Sequence, residues 1–272
     1  MIGIVLFKTA VAVYLASAVV YGISLWGRKV QTARIATWLM LAALVIHTLS
    51  FASRWITAGP SPAVGIHDAL SFFAWVMAAA YLAMQLRTKT RVLGAFVSPV
   101  IFLTMVVASV KLGGDVAASA ALQGSLVMFH VIFSMTGEAL FVVASCAGLM
   151  YLIQDDMLKK KKAGSLIRLF PSLRDLDRIN HLCLSWGFTL LTFGILAGSG
   201  WARIVWGSHW QWDSKQVWTL LAWIFYGFLL YQRLVIGWQG RKAALWSLMV
   251  ISLLALLLIF GKVFFPSVHQ FV

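Results

Sequence analysis

Charge is what this sequence lacks most. Asp, Glu, Lys and Arg make up only 11% of its 272 residues, where a soluble domain carries about 25%. Acid is scarcer than base: eight residues against 22, with Glu138 the single glutamate. Cysteine is nearly absent too. Cys146 and Cys183 both fall in apolar segments and form no C-x-x-C pair, so they read as small buried hydrophobes without a redox role. The first apolar run, Ile2 to Trp26, has neither a basic leading region nor a small-residue cleavage site, which favours a retained helix over a signal peptide. These absences exclude an ordinary soluble domain and a disulfide scaffold.

What is present is apolar: 61% of the chain, in runs of about 20 residues that recur along its length, as bilayer-spanning helices require. The expected fold is all-α, a polytopic membrane helical bundle forming one integral domain over 1–272. About eight transmembrane helices are placed at 2–26, 34–56, 67–86, 92–111, 124–153, 179–201, 215–236 and 243–265.

The bases set the expected orientation. The first and third connections hold Arg28, Lys29, Arg34, Arg87, Lys89 and Arg91. The fifth, 154–178, holds Lys159, Lys160, Lys161, Lys162, Arg168, Arg174 and Arg178, and the seventh holds Arg233, Arg241 and Lys242. That is sixteen of the 22 bases on one side. The positive-inside rule puts that side in the cytoplasm and both termini outside, in a plasma or inner cell membrane. The net charge of +14 is then a topology signal beside the lipid bilayer, with no nucleic-acid partner implied.

On this reading the segment 201–218 is extracytoplasmic. It contains WGSHWQWDSKQVW at 206–218, and six of the thirteen tryptophans (Trp201, Trp206, Trp210, Trp212, Trp218 and Trp223) fall within 23 residues. An interfacial belt would scatter them over many span ends. Four of the six histidines, His67, His130, His209 and His269, gather on the same side. Imidazole is a common metal ligand and an axial ligand of haem iron. An aromatic shelf with basic neighbours would suit a flat apolar macrocycle bearing carboxylates. His130 lies within the fifth span, where an ionisable residue points to function. Ser134 and Glu138 follow at i+4 and i+8 on the same stripe. His47, near mid-membrane, and His181, near the cytoplasmic end of span six, read instead as hydrogen-bonded across helix interfaces.

WGSHWQWDSKQVWTLLAW resembles the tryptophan-rich signature of the cytochrome c assembly family, W-G-x-x-W-x-W-D-P-K-E-x-W-x-L-x-x-W. The likeness extends to LDRINHLCLSWGFTLLTFGILAGSGWA before it and GWQGRKAA after it. RWITAGPSPAVGIHDALSFFAW, VMFHVIFSMTGEALFVVASCAGLMYL and FPSVHQF add further segments, covering the chain from about residue 47 to its end. The resemblance implies haem b as the group handled. His130 and His269 would be its axial iron ligands, with Trp206, Trp210, Trp212, Asp213 and Trp218 as the cradle. Arg54, Arg203 or Lys215 would meet the propionates through charge-assisted hydrogen bonds. It also implies a subunit of a cytochrome c haem lyase whose activity needs a membrane partner with a large external domain. The acceptor would be an apocytochrome c carrying C-x-x-C-H, a motif absent from this chain.

Three departures from the family pattern cover four positions. Ser214 and Gln216 stand for its proline and glutamate. Tyr231 stands for a histidine associated with an inner haem site on the export route. Asp68 stands for a glutamate. A second reading is therefore a membrane regulator of a haem-biosynthesis enzyme, acting through cytoplasmic loops such as 154–178. A third is a transporter that binds haem without synthase activity.

Overall fold

The computed structural model describes residues 2–27, 29–58, 66–88, 90–110, 124–161, 170–212 and 214–264. They form eight α-helices: α1 (Ile2–Gly27), α2 (Val30–Ala58), α3 (Ile66–Arg87), α4 (Gly94–Ser109), α5 (Ser125–Lys159), α6 (Leu173–Trp206), α7 (Ser214–Leu234) and α8 (Arg241–Phe264). A single 3-10 turn, Arg91–Leu93, leads into α4, and the described residues include no strand. Each expected span coincides with a helix. Seven of the eight, α1 to α7, are long and apolar enough to cross a membrane, and the chain is a multi-pass membrane protein.

The helices run alternately up and down, and cross-helix bonds fix which ends meet. At one end Ser50 Oγ donates to the Gly3 carbonyl (2.8 Å), Arg54 pairs with Asp68, and His67 Nδ1 bonds the Val107 carbonyl (3.1 Å). That end carries the start of α1, the end of α8 and the tryptophan segment; we call it the tryptophan end. The opposite, basic end receives the connections rich in Lys and Arg.

Helices α5 and α6, of 35 and 34 residues, would be about 50 Å long at 1.5 Å per residue. That exceeds the ~30 Å hydrocarbon core, so this hairpin outruns the membrane. Ser172 caps α6, accepting from the Asp175 N–H (3.1 Å) and donating to the Asp175 carboxylate (2.7 Å). The aspartate also suits the positive end of the helix dipole. No proline interrupts α6, and its glycines stay helical until Gly207, whose φ of 73° closes the helix in the left-handed conformation that glycine adopts without strain. The external loop expected from 201 is therefore helical through Trp206, leaving a short connection before Ser214.

Small residues let α5 and α6 touch. A Cβ on Gly137 would lie 2.8 Å from the Gly187 carbonyl oxygen, and Phe141 stacks on Tyr226 of α7 with ring centroids 3.5 Å apart. Both cysteines are buried and unbridged, as expected. His47 is fully buried and bonds Ser71 Oγ across the α2–α3 interface (2.9 Å), also as expected. His181 departs from the expectation: its Nδ1 is buried without a hydrogen-bond partner.

Candidate functional site

The site is built on the tryptophan end of the α5–α6 hairpin. His130 stands near the start of α5 and faces α6, where Gly194 and Gly198 lie one turn apart. Its Nδ1 is 2.8 Å from the Gly194 carbonyl oxygen. A carbonyl only accepts, so Nδ1 must carry the proton and Nε2 the lone pair. Gly198 leaves room for the ring, since a Cβ there would sit 2.5 Å from Nδ1. The imidazole is thus held in one tautomer and orientation by backbone, the arrangement that prepares a histidine to ligate metal through its other nitrogen.

His209, in the connection after α6, bonds back to Ser199 and Arg203 on the following turn of that helix. Arg203 Nη1 is 2.9 Å from its Nε2 and, being only a donor, makes that nitrogen the acceptor. Nδ1 then donates to the Ser199 carbonyl and hydroxyl oxygens, each at 3.2 Å. Both ring nitrogens of His209 are engaged, whereas His130 keeps its lone pair. The two histidines therefore differ in chemistry although they contact successive turns of one helix.

The tryptophans form pairs. Trp201 and Trp206 meet edge to face (4.9 Å, 71°), and so do Trp210 and Trp212 (5.6 Å, 85°), the geometry favoured by ring quadrupoles. Trp210 Nε1 is buried with no acceptor. Trp212 has a φ of 55° and is 76% exposed, a left-handed conformation that is an outlier for a bulky side chain. Trp218 turns inward: its indole N–H donates to the Leu254 carbonyl (3.0 Å), tying α7 to α8. The connection is held by Ser208 Oγ, which donates to the Trp210 carbonyl (2.8 Å), and by Gln216 Oε1, which accepts from the Gln211 N–H (2.8 Å).

Two of the expected propionate partners already have anchors. Arg203 is bonded to His209, and Arg54 pairs with Asp68 across the α2–α3 connection. His269 and Asp213 lie outside the described residues, as does the side chain of Lys215. Tyr231 is at the basic end of α7 and half exposed. Among the described residues no three His, Cys, Asp or Glu side chains converge on a metal-sized point. The engagement of His209 with Arg203 was missed from sequence. Its only signal was the placement of a histidine inside the motif, six residues after an arginine.

The described residues fit a haem in two respects. The fixed tautomer of His130 presents Nε2 as a ligand atom, and the buried indole N–H of Trp210 lacks an acceptor that a carboxylate would supply.

Comparison with known proteins identifies the family. The cytochrome C assembly protein family model matches residues 63–269. The chain is 32% identical over 239 residues to the cytochrome c biogenesis protein CcsA of Trieres chinensis, covering 75% of this chain and 77% of that protein. It is 30% identical over 258 residues to CcsA of Microcystis aeruginosa, covering 77% and 78%. Among solved structures, Cytochrome c Heme Lyase CcmF superposes with a TM-score of 0.68 at 15% identity, a likeness of fold. The match covers 98% of this chain, which spans about half (47%) of that lyase. With the family model covering most of its length, the chain belongs to the cytochrome c assembly protein family.

Proposed function

We propose that this protein is the haem-handling subunit of a membrane cytochrome c synthase, holding haem b at the extracytoplasmic face of a plasma or inner cell membrane. The observation that carries the proposal is the His130 imidazole, fixed by the Gly194 carbonyl so that Nε2 is left to ligate. His269 would be the second residue to hold the iron on this reading. Haem supplies two vinyl groups, to which the thiols of an apocytochrome C-x-x-C-H add as thioethers. This chain's residues orient and shield. His130 fixes the iron side, the Trp206–Trp212 stretch covers the macrocycle, and the Trp210 N–H meets a propionate. Arg203 reaches a propionate once it exchanges its bond to His209, and a membrane partner with a large external domain presents the acceptor.

Absorption spectroscopy of the detergent-purified protein tests this. Low-spin haem should co-purify and be lost from both His130→Ala and His269→Ala. Normal haem content in both variants would sink the ligation.

Tyr231, standing where the family pattern carries a histidine, favours a second reading, in which the protein holds haem or regulates a haem-biosynthesis enzyme without performing attachment. Co-expression with an apocytochrome and the partner separates the two. Covalent haem on the acceptor supports the synthase, and none, with haem still bound to this chain, supports the second reading.

A further inference from the structure

At the basic end, far from His130, a cavity of about 720 Å³ opens between the first turns of α6 and the α7–α8 connection. Arg174, Arg178 and His181 line it from α6, Arg233 from α7, and Trp238 and Gln239 from the connection.

Its charges divide into two groups. Arg233 is committed internally, to Asn180 Oδ1 and Asp177 Oδ1, both at 2.9 Å, and Asp177 also accepts the Gly240 N–H (2.9 Å). Asp175, the other acid in the wall, is engaged with Ser172 at the helix cap. Arg174 and Arg178 are both exposed, one helical turn apart, and make no ion pair among the described residues. Beside them is the unpartnered Nδ1 of His181. Two uncommitted guanidinium forks, with the His181 ring in the same wall, match the oxygens of a phosphate group.

Apolar surface lies beside the cavity. Trp238 in its wall packs on Trp246 (5.7 Å), and Trp246 lines a second cavity of about 360 Å³ between α7 and α8. That groove passes Phe225, Met249, Leu253 and Leu256, the last three at least 40% exposed. From Trp246 to Leu256 it extends about 15 Å along α8 at 1.5 Å per residue, in the direction an acyl chain takes from the membrane surface. Free phosphate would use the guanidiniums and leave the groove without purpose. A lipid uses both, and basic pockets between helices with interfacial tryptophans are where anionic headgroups bind.

We propose that this cavity holds the phosphate headgroup of one anionic phospholipid, seated on Arg174, Arg178 and His181, with an acyl chain along the Trp246–Leu256 groove. The site is independent of the haem reading. It ties the basic ends of α6, α7 and α8 to one leaflet.

Native mass spectrometry of the full chain in detergent tests the site, with diphosphatidylglycerol, phosphatidylglycerol, phosphatidylcholine and inorganic phosphate as probes. One anionic lipid should stay bound where phosphatidylcholine does not. Arg174→Gln with Arg178→Gln should weaken it about tenfold or more, equivalent to ~1.4 kcal/mol, and neither arginine has a partner whose loss would unfold the protein. Leu253→Trp, which fills the groove, should weaken the lipid but not inorganic phosphate. His130→Ala should leave the lipid unchanged. Equal retention in the double-arginine variant overturns the proposal, as does equal binding of phosphatidylcholine. Displacement of the lipid by millimolar phosphate would instead make this a site for the free anion.

Discussion

The two ends of the α5–α6 hairpin use the same kinds of residue to opposite effect. Around Arg233 at the basic end polar groups satisfy one another. Asn180 donates to the Ala144 carbonyl (2.8 Å) and to Ser247 Oγ (2.9 Å), and accepts from Arg233, which also binds Asp177. Farther out, Arg241 joins Asp155 and Asp156. This network stitches α5, α6, α7 and α8 together. At the tryptophan end comparable groups are left open: Nε2 of His130, the indole N–H of Trp210, and Ser134 Oγ, which is buried without a partner. Trp212 adds backbone strain there. Buried polar groups ordinarily find partners, so the closed network around Arg233 carries the fold and the open groups at the tryptophan end await a ligand.

The largest test removes one member of the closed network. The Arg233 side chain is only 4% exposed, and Asp177→Ala would leave its charge without its ionic partner. Breaking such a buried pair costs about 3–5 kcal/mol, so thermal melting in detergent should fall by well over the effect of any variant at the other end. An unchanged melting curve would break the comparison at its strong side.

Next comes Gly198→Ala. The added methyl occupies the place of the His130 ring, 2.5 Å from Nδ1. The ring must turn away and lose its bond to the Gly194 carbonyl. Loss of such a supporting contact typically lowers metal affinity 10–100-fold. Haem content should therefore drop roughly tenfold or more while melting of the ligand-free protein changes little. A loss of melting with haem retained would mean that Gly198 serves packing alone.

A smaller effect is expected from Trp212→Gly. Glycine relieves the left-handed backbone, worth about 1 kcal/mol, but forfeits the edge-to-face contact with Trp210, worth about 0.5–1.5 kcal/mol. Stability should hardly move while haem retention falls several-fold. If retention holds, the strained tryptophan is not part of the cradle.

Much of this contrast was legible beforehand, and for identifiable reasons. Apolar runs and basic connections give the eight helices and their alternation, because membrane length and headgroup charge act on composition alone. His130 stood out because an intramembrane imidazole is costly without a purpose. The lengths of α5 and α6 did not follow from hydropathy. Helix continues past the apolar stretch until a cap or glycine stops it, here at Ser172 and Gly207. Pairings were hidden as well. Arg203 with His209 and Arg54 with Asp68 depend on how turns bring donor and acceptor together. The same holds for Trp218, whose inward turn toward Leu254 separates it from the tryptophans it sits among in the motif.

The smallest effect concerns the two letters of the motif that depart from the family. Ser214 is the first residue of α7, a position where proline is tolerated because its N–H would lack a helical partner anyway. Gln216 uses Oε1 to accept the Gln211 N–H, a task a glutamate oxygen performs equally well. A glutamate there would also place negative charge in the first turn of α7, favourable by ~0.3–1 kcal/mol. Both substitutions thus preserve what the neighbouring backbone requires. Ser214→Pro with Gln216→Glu should raise melting slightly and leave haem content unchanged. If the pair instead raises covalent haem attachment markedly, the open end owes its chemistry to a charge this chain has lost. The comparison would then rest on that charge rather than on unpartnered groups.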